Sequence, residues 1–135
     1  MSLEENETLI RKTNEALNKK NLTALNEFMA SDYSYHTNPL RGREDVKQFY
    51  IRIFKDFPEW HRTIEDIIAE GDKVWVRFRA TATHTGEYRG YFPLMGKKII
   101  FAPTGKKITP TGFVAYRIVD SKIVEDCEVS NLLDT

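Results

Sequence analysis

The chain has 135 residues, and its 20 Lys+Arg balance 20 Asp+Glu, so its formal net charge is zero. That length suits one domain, and a hydrophobic fraction of 41% with 12% aromatics supports a packed core rather than disorder. Balanced charge without a basic block argues against a nucleic-acid binder.

No stretch approaches the roughly 20 apolar residues that cross a bilayer. The start, Met1 to Glu7, is acidic where a signal peptide would be basic and then apolar. A cytoplasmic protein without membrane contact is the expectation. The single cysteine, Cys127, excludes an intrachain disulfide. His36, His61 and His84 are scattered without ligand spacing, so no metal site is expected. Neither GxxxxGK[ST] nor GxGxxG occurs.

Helices fill the first half. Between Glu4 and Lys19, Leu9, Ile10, Thr13, Ala16 and Leu17 form one apolar stripe. Asn21 suits the N-cap of a short second helix carrying Leu22, Leu25, Phe28 and Met29, broken at Ser31-Asp32. Tyr33 to His36 reads as a brief extended piece. Pro39 holds Thr37-Asn38 in a loop. From Arg43, the residues Val46, Phe49, Tyr50, Ile53 and Phe54 recur at helical spacing until Phe57-Pro58.

The second half reads as strands. Thr63 to Ala69 is one, turned by Glu70-Gly71-Asp72. From Lys73 to His84 the pattern alternates. Val74, Val76, Phe78, Ala80 and Ala82 share one face, and Trp75 is the apolar exception on the other. Thr85 to Gly105 is glycine- and proline-rich, with at most a short strand at Lys98–Phe101. Thr109 to Val119 and Lys122 to Leu132 complete the sheet. Three helices then at least four antiparallel strands make an α+β fold. A curved sheet covered on one face leaves a central cavity of the kind that takes small molecules.

A series of motifs then falls into order: Gly42 to Phe49, Phe57-Pro58, Glu70 to Val74, Thr83 to Glu87, Thr104-Gly105-Lys106, and Tyr116 to Glu125. Together they resemble the SnoaL-like polyketide cyclase (ester cyclase) family of the nuclear transport factor 2-like superfamily, across nearly the whole chain. The resemblance implies one cone-shaped domain over residues 1–135. It implies ring closure by intramolecular aldol condensation, with a pocket carboxylate as base and neither metal nor organic cofactor. Members of the superfamily commonly dimerise through their sheets, so a homodimer is expected. Trp75, Arg77 and Arg79 mark the candidate surface.

The family often reads Ile-Val-Glu-x-Trp, then three residues, then the catalytic Asp. Here Ile123-Val124-Glu125-Asp126 is followed by Cys127 at the Trp position and Asn131 at the Asp position. An amide is no general base near neutral pH. Asn131 therefore either polarises a carbonyl while another group takes the proton, or marks lost cyclase chemistry. Strand parity places Ile123, Glu125, Cys127, Val129 and Asn131 on one face, which is inward by resemblance unless a bulge shifts the phase. Glu125 becomes the substitute base, or else a partner for an arginine such as Arg77, Arg79 or Arg117. His84, at the end of an apolar strand face, and His36, before the proline loop, are candidate proton shuttles or structural hydrogen bonders. Tyr50, Phe54, Phe78, Phe113 and Cys127 are the candidate substrate-binding side chains. The expected activity is proton abstraction and ring closure on an apolar carbonyl or ester compound. A non-catalytic binding module of the same fold and a sheet-mediated interaction domain are the alternatives. An inward carboxylate without a basic partner would favour the enzyme.

Overall fold

Ser2 starts the first helix: its hydroxyl accepts from Glu5 N at 3.1 Å, and the Glu5 side chain accepts from Ser2 N, closing a capping box. The computed structural model describes residues 2–35, 41–83, 88–92, 97–101 and 107–131. Helix α1 (Leu3–Asn18) buries the predicted stripe of Leu9, Ile10, Thr13, Ala16 and Leu17. Asn21 caps as expected, accepting from Ala24 N, but the turn it caps is 3-10 (Leu22–Ala24) and runs into a four-residue helix, α2 (Leu25–Phe28). Helix α3 spans Gly42–Asp56 and ends before Phe57, which is buried.

The strands are β1 (Met29–Tyr35), β2 (His61–Glu70), β3 (Lys73–Thr83), β4 (Tyr88–Phe92), β5 (Lys97–Phe101), β6 (Lys107–Ile108), β7 (Thr111–Val119) and β8 (Lys122–Ser130). Six of them form one open sheet in the order β1-β8-β7-β3-β2, with β6 also on β3. Pairing is antiparallel except between β1 and β8, which run parallel. This is the α+β arrangement expected. Two details differ. Met29, Ser31 and Asp32 belong to a strand rather than to a helix and its end, because β8 offers this segment a hydrogen-bonding edge. Sequence-local signals do not report such a distant partner. The glycine-rich stretch holds not one short strand but a hairpin, β4 paired with β5 from Tyr88↔Phe101 to Phe92↔Lys97.

Two tight turns fix the register. Gly71, at φ +59°, turns β2 into β3 with Glu70 opposite Lys73. Asp120 and Ser121, at φ 51° and 65°, turn β7 into β8. On β3 the predicted alternation holds: Val74, Val76, Phe78, Ala80 and Ala82 are buried, while Trp75 is 54% exposed. Val74, Val76 and Phe78 pack with Leu9, Ile10, Leu17, Leu25, Val46 and Val114 into the core, and Ala82 packs with Ile53 and Phe57 in a second cluster.

The phase of β8 is set by a bulge. Ile118 pairs with Ile123, but its neighbour Arg117 pairs with Glu125, so Val124 has no opposite number. Beyond it, Asp126 lies opposite buried Tyr116 and Glu128 opposite buried Val114. Glu125, Cys127 and Val129 pair with Arg117, Ala115 and Phe113 on the outer face.

Candidate active site

The bulge corrects the parity reading. Glu125 was expected to face inward; it lies on the outer face with Oε1 3.8 Å from Arg117 Nη1. Cys127 shares that face, and Phe113 is 57% exposed beside Val129. Asn131 is exposed at the end of the β7–β8 ladder, where its side-chain oxygen accepts from Thr111 N at 2.7 Å. Phe78 is buried in the core, Tyr50 packs partly buried against it, and Phe54 packs partly buried against Ile53, Phe57 and Ala82. His36 and His84 fall outside the described residues.

What the inner face gathers instead is a cluster of acids and phenols around one arginine. Arg62, near the start of β2, is only 6% exposed. Helix α1 holds its backbone: Asn14 and Asn18 side chains donate to Arg62 O at 2.9 and 2.8 Å, and Arg62 N donates to Asn18 Oδ1 at 2.8 Å. Its guanidinium donates through Nε to Asn14 Oδ1 at 3.0 Å and through Nη2 to the Tyr116 hydroxyl at 3.2 Å. Nη1 lies 3.6 Å from Glu128 Oε1. The flat cation sits 5.7 Å from the Trp60 ring centre and 5.3 Å from that of Phe78. Burial opposes the charge, yet Tyr116, Tyr50, Glu128 and Asp126 together outweigh it and hold Arg62 above its ordinary pKa. Such a residue remains a fixed cation.

The two acids differ. Burial raises the pKa of Glu128, and Arg62 pulls it back down. Burial raises Asp126 further, to about 7. The Tyr33 hydrogen bond and Arg62 oppose that rise, and the charge of Glu128 adds to it. Tyr33 is fully buried on β1, beside β8. Asp126 Oδ1 is buried and has no hydrogen-bond partner. A carboxylate that titrates near neutrality, with one oxygen uncommitted, can take a proton from a bound molecule. Desolvation pushes the Tyr50 and Tyr116 pKa values up, so both phenols stay protonated. Tyr50 stacks edge-on to Phe49 and Trp60 at 5.3 and 5.9 Å and lies 5.7 Å from Phe54, forming an aromatic wall. Among the described residues, no three of His, Cys, Asp or Glu converge as metal ligands. No described helix is long and apolar enough to cross a membrane.

Parity counting from Ile123 hid Asp126 and Glu128. One signal was available: Arg117 finds a carboxylate opposite only if β8 skips a residue. Arg62 carried no local signal, because its partners lie 48 and 54 residues away on α1 and β7.

The family model for SnoaL-like polyketide cyclases matches residues 7–135. Among curated proteins, none matches the chain in sequence. IdmH of Streptomyces antibioticus, a candidate polyketide cyclase, is 27% identical with a TM-score of 0.75, and the match covers 96% of each chain. AclR of Streptomyces galilaeus, a candidate hydroxylase, is 25% identical with a TM-score of 0.76 over 97% of this chain and 81% of its own. A candidate SnoaL-like polyketide cyclase from a Jannaschia species reaches a TM-score of 0.79 at 19% identity, over 96% of this chain and 88% of its own, a likeness of fold alone.

Proposed function

Because the chain belongs to the SnoaL-like polyketide cyclase family, we propose that it is a cofactor-independent enzyme that moves a proton at an apolar carbonyl or ester substrate and closes a ring by intramolecular aldol condensation, with Asp126 as the base. One observation carries this reading: the inner-face carboxylate of Asp126 has an uncommitted Oδ1 and a pKa raised to about 7. It shares a hydrogen bond with the Tyr33 side chain, a neutral partner. A purely ligand-binding module gains nothing from an acid poised in this way, since a buried unpaired acid costs stability.

In this mechanism Asp126 removes a proton alpha to a carbonyl. The C–H electron pair becomes the enolate double bond, and the carbonyl π pair moves to oxygen. The enolate carbon attacks a second carbonyl of the same molecule. The new alkoxide recovers the proton from Asp126, so the acid ends as it began. Tyr50, Phe54, Trp60 and Phe78 supply an apolar wall that folds a flexible chain for this closure. On this reading the substrate lies between this wall and the inner face of the sheet. Position 131 is left to the strand end, where Asn131 pairs with Thr111.

The test is proton exchange in heavy water. Wild-type protein should speed the loss of alpha protons from an apolar aryl ketone, followed by proton magnetic resonance. Asp126→Asn should not. Equal exchange in both proteins would overturn the assignment.

We also propose a homodimer formed through the outer sheet face. Ile68 (65%), Trp75 (54%), Phe113 (57%) and Val129 (57%) are exposed there. Ion pairs Asp66–Arg77 and Asp72–Arg117 flank them. An apolar patch rimmed by charge is the usual form of an association surface.

A further inference from the structure

Tyr116 and Asp126 stand directly opposite one another on β7 and β8. Such a pair holds its Cβ atoms ~4.5–5.5 Å apart on one face of the sheet. The Tyr116 oxygen accepts one hydrogen bond, from Arg62 Nη2 at 3.2 Å. A guanidinium only donates, so this bond leaves the phenolic proton uncommitted. Among the described residues, nothing accepts it. Burial, opposed by Arg62 and aided by Asp126 and Glu128, pushes the Tyr116 pKa up to about 12, so the proton stays in place at working pH. Arg62 cannot swing away, because Asn14 holds its Nε while Asn14 and Asn18 hold its backbone.

We propose that Tyr116 is a catalytic hydrogen-bond donor to the substrate's carbonyl oxygen, and that Arg62 is the positioning residue that aims it. The proposal rests on the reading of Asp126 as base. An enolisable carbonyl carries its acidic hydrogen and its oxygen on adjacent carbons, so base and donor must stand side by side. Neighbouring strands provide that spacing. As the proton passes to Asp126, negative charge builds on the oxygen. The Tyr116 O–H meets it, and Arg62 behind the phenol shares it without supplying the proton. The ligand class follows: a flat apolar molecule with an enolisable carbonyl, mimicked in its charged state by an aromatic hydroxy compound.

Substituted 2-naphthols of graded acidity are the probe, with their absorbance and fluorescence reporting the ionised and neutral forms. Asp126→Asn serves as background, since it resembles the protein after proton uptake. That variant should bind the naphtholate and lower the apparent pKa of the bound naphthol. Adding Tyr116→Phe should weaken naphtholate binding about tenfold, the worth of one charge-assisted hydrogen bond, and reverse much of the pKa lowering. Arg62→Lys should reduce the lowering without abolishing binding. Near-ultraviolet circular dichroism checks the fold of each variant. If Tyr116→Phe folds poorly, fluorinated tyrosine at position 116 keeps the ring while making the hydroxyl more acidic, and should tighten binding. Naphtholate affinity indifferent to both changes at position 116, or no naphthol binding, would overturn the proposal. If proton exchange still depends on Asp126 in that case, only the donor assignment falls. If exchange is absent while Tyr116 controls naphtholate binding, it is the base that has been misread.

Discussion

Arg117 stands across from Glu125 on the outer face of the sheet, and its Nε also lies 3.1 Å from Asp72 Oδ2. One arginine thus serves two acids at the surface, and Glu125 is kept apart from the inner cluster. Exposed pairs of this kind contribute about 1 kcal/mol or less. Glu125→Gln should therefore leave proton exchange within about twofold and shift stability by no more than that amount. Asp126→Asn, one residue on, should lower the rate by ~10²–10⁴, the range of general base catalysis. Parallel rate measurements check the pair; a dead Glu125→Gln beside an active Asp126→Asn would reverse the inner and outer assignments.

The pKa of Asp126 makes both rate and stability depend on pH. Exchange needs the carboxylate, so its rate should rise through about pH 7 and level off above. Stability runs the other way. The folded pKa is about 7 and the unfolded one about 3.9, so across that window the folded state binds the extra proton. Stability then falls as pH rises from about 4 to 7, by up to roughly 1.4 kcal/mol for each unit between the two values. Glu128, also raised, adds to the same slope. Asp126→Asn should be more stable than wild type at pH 8, with the gap closing toward pH 4. Urea unfolding across that range measures it, and a constant gap would refute the linkage.

The helices α1 and α3 and the alternation of β3 were legible because each follows from spacing along one element. Leu9 and Leu17, or Val74 and Phe78, need no partner to declare their face. The inner acids were not legible for the same reason. Their face depends on Val124, whose exclusion from the ladder is decided by how β7, the Asp120-Ser121 turn and parallel β1 are satisfied together. Family resemblance pointed to β8 and to position 131. The geometry instead gathers the acids at 126 and 128, beside Arg62 of β2 and Tyr33 of β1. Asn131 lies beyond them, bonded to the backbone at Thr111.

Arg62 binds the cluster together, so its loss should be felt as instability before it is felt as chemistry. Arg62→Met would leave Glu128 a partly buried acid without its cation and the Tyr116 oxygen without its donor. Breaking one side of a buried pair costs about 3–5 kcal/mol. Adding Glu128→Gln should recover part of that loss, because the orphaned charge is removed with it. Thermal unfolding of the two variants checks this, and no recovery in the double variant would show that Glu128 was not the group Arg62 was balancing.

Gly112 sets how closely β7 and β8 approach beside the cluster. A Cβ there would lie 2.2 Å from Val129 O and 2.9 Å from the Ser130 Cα and Cβ. Backbone cannot yield as a side-chain tip can. Gly112→Ala should cost at least the ~1–3 kcal/mol typical of overpacking and should displace Ser130, which meets the clash, and Glu128, which precedes it on β8. A variant with wild-type melting temperature and exchange rate would mean that the strands can separate there freely.

The outer face offers the last test, independent of the chemistry. Ile68, Trp75, Ala115 and Cys127 lie opposite one another in a row across four strands, with Phe113 and Val129 adjacent. A second copy related by a twofold axis would cover this row with the same row, so one charge introduced here acts twice. Wild-type protein should scatter light as a dimer at micromolar concentration. Trp75→Glu should scatter as a monomer, because it places two carboxylates in an apolar contact without a cation. The inner cluster lies on the opposite face of the sheet, so the monomer should keep Asp126-dependent exchange, provided no residue of the second copy reaches the site. A wild-type monomer, or a Trp75→Glu dimer, would remove this face as the contact.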